Sequence, residues 1–124
     1  MKRLLKYAGV LFFLGFGFSS CYKDVILPKT NETAPPQFVS YGSELQPLWT
    51  SNCALSGCHV AGSQAPYLTP DVSYKQLMSG YVNTAYPEQS KLYIAINGIM
   101  QVHIPDAADR QKVYDWIRNG APNN

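Results

Sequence analysis

The sequence predicts an all-α domain of about four short helices joined by long loops. In several short stretches apolar residues recur three and four positions apart, and each stretch is bounded by glycine, proline or a capping residue. No stretch alternates apolar and polar residues as a half-buried strand would. The 86 residues from Val39 to Asn124 are enough for one domain and not for two.

The first two predicted helices are short. The first leads directly into Cys53, with Ser43 as its N-cap, although Pro47 favours a later start of the first turn. The second runs from Ser73, as its cap, to Gly80, where it stops. Their inward-facing residues are predicted to be Leu45, Leu48 and Trp49 in the first helix, and Leu77 and Met78 in the second.

The third and fourth predicted helices follow the same rules. The third spans residues 87–97, with Pro87 in its first turn and Asn97-Gly98 at its end. The fourth has the strongest pattern in the chain, because Asp106 caps its start and Asn119-Gly120 follows its last turn. The apolar faces consist of Leu92, Tyr93 and Ile96 in the third helix, and Val113, Trp116 and Ile117 in the fourth.

Residues 1–20 have the pattern of a secretory signal peptide. Lys2, Arg3 and Lys6 form a positive n-region, and the apolar run 7–18 is too short to cross a hydrocarbon core of about 30 Å. The run ends in Phe18-Ser19-Ser20-Cys21, which resembles a bacterial lipobox. The resemblance implies that Cys21 is acylated and becomes the new N-terminus. An ordinary signal peptide with a cysteine near its cleavage site is the alternative.

Residues 21–38 are predicted to form a tether between the lipidated cysteine and the domain. Pro28, Pro35 and Pro36 interrupt any helical or strand periodicity, which favours a semi-extended segment. Removal of the signal peptide takes away three of the ten basic residues and leaves a net charge of −1. No basic tract then remains for a nucleic-acid groove. The predicted partner on this side is the lipid bilayer, reached through Cys21, and not nucleic acid.

The segment Cys53-Ala54-Leu55-Ser56-Gly57-Cys58-His59 carries the chemistry of the domain. Two thiols in a short loop, followed at once by a histidine, are the parts of a c-type haem attachment site. The usual spacing is Cys-x-x-Cys-His, and here two further residues separate the cysteines. Ser56 and Gly57 are small and turn-prone, so the added residues can bulge outward without moving the sulfurs.

With this motif the stretch 39–124 resembles a small mono-haem c-type cytochrome domain of bacterial envelope lipoproteins. The residues that carry the resemblance are Leu45-Gln46-Pro47-Leu48-Trp49, Cys53, Cys58-His59, the segment from Asn97 to Met100, and Val113-x-x-Trp116-Ile117-x-x-Gly120. The resemblance implies a cytochrome c-like fold in which an N-terminal and a C-terminal helix cross. It also implies one covalently attached haem c per chain.

The resemblance further implies a role for individual residues around the iron. His59 would be the proximal ligand, bound through a neutral ring nitrogen. Ala65-Pro66-Tyr67-Leu68 resembles a Gly-Pro-x-Leu segment, in which the proline carbonyl accepts the other ring N–H and the leucine packs on the haem. Pro66 and Leu68 are therefore expected to contribute to the cofactor site.

The sixth ligand is predicted to be Met100, which lies 41 residues after His59 in the loop before the last helix. The methionine-proline pair usual in the family is absent, because Gln101 follows Met100. His103 is the alternative distal ligand, and an open or water-bound position is a third possibility. A thioether ligand favours ferrous iron and raises the reduction potential, which suits electron transfer.

Two alternatives compete with haem at the cysteines. With Cys21 lipidated, Cys53 and Cys58 form an even pair that an oxidising compartment could join in a disulfide. Cys53, Cys58, His59 and His103 together have the residue types of a zinc site. The histidine directly after the second cysteine favours haem, because a disulfide has no use for it and zinc usually has a second close pair of ligands.

These observations predict a lipid-anchored single-electron carrier, and not an enzyme, in the bacterial cell envelope. The anchor would hold the domain on the periplasmic or outer-membrane side, where its partners would be other redox proteins. A haem-based ligand binder or sensor is the alternative if the sixth position is open. A structural lipoprotein with a Cys53–Cys58 disulfide is the alternative if no haem is attached.

Overall fold

The computed structural model describes residues 33–124 and shows an all-α arrangement over that range, as the sequence predicts. It contains α1 (Gln46–Asn52), α2 (Ser73–Met78), α3 (Lys91–Ile96) and α4 (Ala107–Arg118). Short turns of 3₁₀ helix at Pro87–Gln89 and Gln101–His103 accompany them, and no strand occurs in the described range. The predicted signal peptide, Cys21 and the tether up to residue 32 lie outside the described residues. No helix within residues 33–124 has the length and apolar character needed to cross a bilayer.

The first helix begins differently from the prediction. A wider π-helical turn, Tyr41–Leu45, precedes α1, and Ser40 rather than Ser43 caps it. The Ser40 hydroxyl accepts a hydrogen bond from Ser43 N at 3.3 Å, and Glu44 Oε2 accepts one from Ser40 N at 2.9 Å. This reciprocal arrangement satisfies free N–H groups at both positions, as in a capping box. Ser43 is therefore inside the turn and not at its cap.

Two further helix predictions need correction. Ser73 is the first residue of α2 and not its cap, since Val72 occupies that place. Its side chain is fully buried and bonds with Tyr41 and Gln46, and this tertiary network decides its position. Met78 is 39% exposed, so it is not a core residue, because the six-residue helix buries Ser73 and Leu77 on its inward face and leaves Met78 off it.

The predicted third helix is divided in two. Pro87–Gln89 forms a 3₁₀ turn, and α3 starts only at Lys91, because Ser90 between them has an extended backbone (φ −62°, ψ 126°). The Ser90 hydroxyl is buried and bonds with the backbone N–H and the carbonyl of Asn83. The predicted apolar face is confirmed, since Leu92, Tyr93 and Ile96 are all buried.

The last helix agrees with the sequence. Asp106 caps it by accepting a hydrogen bond from Ala108 N at 2.8 Å, and Asn119 follows its last residue. Val113, Trp116 and Ile117 are fully buried. Gly120 has a φ of +86°, a left-handed conformation that glycine adopts without strain at a helix end.

The core joins the two ends of the domain. The rings of Tyr41 and Trp116 lie 5.2 Å apart, and Tyr74 packs edge-on against Tyr41 at the same distance. The C-terminal residue Asn124 closes the same region, because its carbonyl accepts from Gly42 N at 2.7 Å and its side chain accepts from Tyr41 N at 2.8 Å. These contacts hold the turn before α1 against α4. The long loops 53–72 and 97–106 both contribute residues to the cleft that Cys53 and Cys58 line.

Candidate functional site

The two-cysteine loop starts at the end of α1 and closes on itself. Cys53 is the C-cap of α1, and its carbonyl accepts a hydrogen bond from His59 N at 3.1 Å, which joins the two ends of the loop. Cys58 N donates to Leu55 O at 2.9 Å and closes a tight turn. Gly57 has a φ of +81° in this turn, and the space beside it is open. Leu55, Ser56 and Gly57 are exposed, so the residues added to the usual spacing bulge outward.

The His59 ring is oriented by backbone carbonyls. Nδ1 lies 3.0 Å from Pro66 O and 3.3 Å from Gln64 O. A carbonyl only accepts, so Nδ1 carries the hydrogen in these contacts. In the neutral imidazole the lone pair is then on Nε2, and no hydrogen bond within residues 33–124 engages that atom. Leu68 N donates to His59 O at 2.7 Å and holds the backbone of the same segment.

The predicted site residues meet in one cleft of about 330 Å³, within the range of about 300–1,000 Å³ typical of small-molecule and cofactor pockets. Its walls are mainly apolar, and its polar groups are few. Residues from α1, α3 and the loops on this side of the domain line it: Trp49, Asn52, Cys53, Cys58, His59, Gln64, Ala65, Pro66, Leu68, Tyr81, Lys91, Leu92, Ala95, Ile96, Met100 and His103.

The two predicted distal residues lie on the same short segment but differ in exposure. Met100 is partly buried at the cleft, and its backbone N–H donates to Ala95 O at 2.9 Å. His103 follows one 3₁₀ turn later and is exposed. Leu68, predicted to pack on a bound group, is buried in the wall. The structure thus brings His59, Pro66, Leu68, Met100 and His103 together around one cavity.

Both cysteines are free thiols in this structure. Burial raises the pKa of Cys53 to about 11, and the nearby Cys58 adds to the shift. Cys53 is therefore a neutral thiol at physiological pH and a poor participant in disulfide exchange, for which the thiolate is required. In the described range no three His, Cys, Asp or Glu side chains converge on a shared metal position, so the four residues considered for zinc do not form such a cluster.

Several residues at the site were not predicted from the sequence. Tyr81, Lys91 and Asn52 line the cleft, but they carry no local pattern that marks them. Arg110 is 5% exposed and bonds to the segment that carries Met100. A signal for Arg110 did exist, since it lies three positions before Val113 on the buried face of α4.

Comparison of the chain with protein-family models, with curated proteins and with solved structures gives no match. The resemblance to c-type cytochromes therefore rests on the sequence motifs alone.

The buried Cys53 thiol gives a prediction for the haem-free chain carrying Cys21→Ser and Cys58→Ser. Burial, the larger cause of the raised Cys53 pKa of about 11, is kept in this variant, while the smaller contribution of Cys58 is lost. A shift of the pKa from the ordinary 9.0 to about 11 makes the thiolate about a hundredfold scarcer near pH 8, and its greater nucleophilicity recovers about tenfold, so roughly tenfold is the upper limit of the net effect. We expect iodoacetamide to alkylate Cys53 up to about tenfold more slowly in the folded chain than in urea. The folded rate should keep rising with pH beyond 9. Equal rates in the folded and unfolded chain would contradict the burial of this thiol.

Proposed function

We propose that this chain is a single-electron carrier of the mono-haem c-type cytochrome class, with one covalently attached haem c. The observation that carries the proposal is the hydrogen bond between His59 Nδ1 and Pro66 O. It leaves the Nε2 lone pair of a neutral imidazole available at a cleft that two free thiols also line. No catalytic residue is proposed, because such a protein sets the ligands, the burial and the access of its cofactor.

The residue types that line the cleft are those that a covalently attached haem requires. Two free thiols at the cleft are the groups that c-type attachment consumes, and the walls around them are mainly apolar. The hydrogen bond between His59 N and Cys53 O holds the ends of the loop together across the wider spacing. When bound, the haem supplies an iron centre that gains and loses one electron. The outward turn at Ser56-Gly57 accommodates the two added residues outside the cleft.

In this proposal, individual residues of the cleft attach the haem, supply an iron ligand, orient that ligand and exclude water. Cys53 and Cys58 would hold the group through thioether bonds, and His59 would supply the proximal nitrogen. Pro66 O fixes the tautomer and tilt of that ring. Buried Leu68 and the other apolar walls would keep water away from one side of the haem. Exclusion of water lowers the local dielectric constant, so nearby charges and dipoles would shift the reduction potential more strongly.

Met100 is the distal ligand in this proposal. Its partial burial at the cleft favours it over the exposed His103, because burial limits competition from water for the position. A thioether also suits an electron carrier, since it stabilises the ferrous state and raises the potential. An open distal position would instead favour a ligand binder or sensor.

The proposed location is the bacterial cell envelope, on the periplasmic or outer-membrane side. It rests on the signal-like residues 1–20 and on Cys21, which lie outside the described residues. Within the described part, Gln37 is already tied to α4, since its N–H donates to Asp115 and its carbonyl accepts from Asn119. The tether would therefore end at about this residue. Other redox proteins are the proposed partners, and the lipid bilayer is the proposed anchor surface.

Covalent attachment is tested by expressing the wild-type chain in bacterial cells that are competent for haem attachment. We expect haem to remain with the polypeptide on a denaturing haem-stained gel. Cys53→Ala or Cys58→Ala should leave one thioether with shifted absorption, and the double change should remove covalent haem altogether. An iron-free wild type with a Cys53–Cys58 disulfide would support the structural alternative instead.

The distal ligand is tested by comparing Met100→Ala with His103→Ala in the haem-loaded protein. The oxidised wild type should be low-spin, with the weak far-red band of a methionine sulfur on ferric iron. Met100→Ala should remove this band, admit carbon monoxide to the reduced protein and lower the potential, within the roughly 0.8 V range that axial ligands span. Met100→His should stay low-spin at a lower potential.

His103→Ala should change none of these properties. If His103→Ala opens the iron and Met100→Ala has no effect, the ligand assignment is wrong. A wild type that binds carbon monoxide readily would favour a sensor over an electron carrier.

The anchor is tested with Cys21→Ser and a metabolic fatty-acid label. The wild type should incorporate the label and fractionate with membranes, whereas the variant lacks the thiol that would be acylated and should do neither. Equal labelling of the two chains would exclude Cys21 as the lipidation site.

A further inference from the structure

Arg110 is a buried cation that has no carboxylate partner within residues 33–124. It is 5% exposed, and the ion pairs among the described residues join other side chains, Lys112 with Asp109 and Arg118 with Asp115. A buried guanidinium is costly unless its donors are hydrogen-bonded. The groups that accept hydrogen bonds from the Arg110 guanidinium therefore indicate its structural role.

The acceptors of Arg110 belong to the two ends of one segment. Nε donates to Asn97 Oδ1 at 3.1 Å, and Nη1 donates to Ile104 O at 2.6 Å and to Pro105 O at 2.7 Å. Asn97 is itself fixed, because its Nδ2 donates to Tyr93 O at 3.0 Å. One planar guanidinium thus joins the end of α3 to the residues just before α4.

The middle of this segment has little packing of its own. Ile99 and Val102 are 83% and 75% exposed, so they do not anchor it. Between them lies Met100, partly buried at the cleft. One backbone bond, from Met100 N to Ala95 O at 2.9 Å, attaches Met100 to the end of α3, whereas the bond from His103 N to Met100 O at 3.0 Å only shapes the turn that follows. The position of Met100 therefore depends on this one bond to α3 and on how the two ends of the segment are held.

We infer that Arg110 is the positioning residue of the segment 97–105 and, through it, of the Met100 thioether at the cleft. The role of Met100 as ligand rests on the proposed function, whereas the attachment of the segment does not. Arg110 does not line the cleft, so it acts through the segment and not on a bound group. A lysine could not replace it, because one ammonium lacks the planar set of donors that reaches both ends at once.

The test compares Arg110→Lys and Asn97→Ala with the wild type in the full chain, expressed with the haem-attachment machinery. Arg118→Lys is the matched control, because it changes the same residue type on the same helix at a side chain that bonds to Asp115. Amide hydrogen exchange is measured along the whole chain. In the haem-loaded fraction, the far-red band and its pH dependence are recorded on the same samples.

We expect Arg110→Lys to raise the amide exchange rates of residues 98–104 by about tenfold or more relative to those of α1 and α4, because the substitution removes charge-assisted hydrogen bonds to the segment. Asn97→Ala removes one bond of the three and should give a smaller rise in the same residues. With haem attached, Arg110→Lys should keep both thioethers but weaken the far-red band and lower the pH at which that band disappears. Arg118→Lys should leave the segment and the band unchanged.

Several results would overturn the inference. Unchanged exchange in residues 98–104, or a uniform rise along the chain, would show that Arg110 contributes only general stability or nothing. An unaltered far-red band and pH profile in Arg110→Lys would likewise remove its role in placing Met100. If Arg110→Lys does not fold, the exchange pattern of Asn97→Ala decides. A chain without haem would count against the proposed function, while the exchange data would still decide whether Arg110 holds the segment.

Discussion

The contact between Tyr41 and Trp116, whose ring centroids lie 5.2 Å apart, joins the start of the domain to its last helix. It fixes the turn that leads into α1 and hence the place where α1 delivers Cys53. It also fixes α4, from which Arg110 reaches the segment carrying Met100. The positions of both sides of the cleft therefore depend on the same aromatic contact. Burial of large rings is a strong and non-directional stabilising term, and here it sets the frame in which short helices and long loops acquire defined positions.

Within that frame the polar contacts at the cleft are made by the backbone more than by side chains. The carbonyl of Pro66 orients His59, and the carbonyl of Cys53 closes the thiol loop. Carbonyl acceptors engage Nδ1 and fix the ring orientation, and no hydrogen bond within residues 33–124 engages the other nitrogen, Nε2. These contacts give the oriented ring that the proposed function requires of His59.

The two sides of the cleft differ in how they are held. The side with His59 and Leu68 is a loop with several backbone bonds, whereas the side with Met100 carries exposed neighbours and is attached at its ends and by one backbone bond from Met100 to α3. Regions with few buried contacts open at lower free-energy cost than the core. In the proposed function, such a site would combine an oriented imidazole, His59, with a distal methionine whose segment is held by a backbone bond to α3 and by the buried cation Arg110.

The sequence by itself determined the all-α class, the apolar faces of α3 and α4, and the grouping of two thiols with a histidine, because these depend on spacing along the chain. It also placed Pro66 and Met100 among the site residues, although only through a resemblance. The tertiary structure alone decided the buried place of Ser73, since its hydroxyl bonds with Tyr41 and Gln46, which are distant in sequence. The cap at Ser40 and the exposure of Met78 likewise became visible only in the folded chain. The role of Arg110 belongs to the same group. A charged residue on a buried helix face signals that some partner exists, but only the folded chain shows which oxygens surround it.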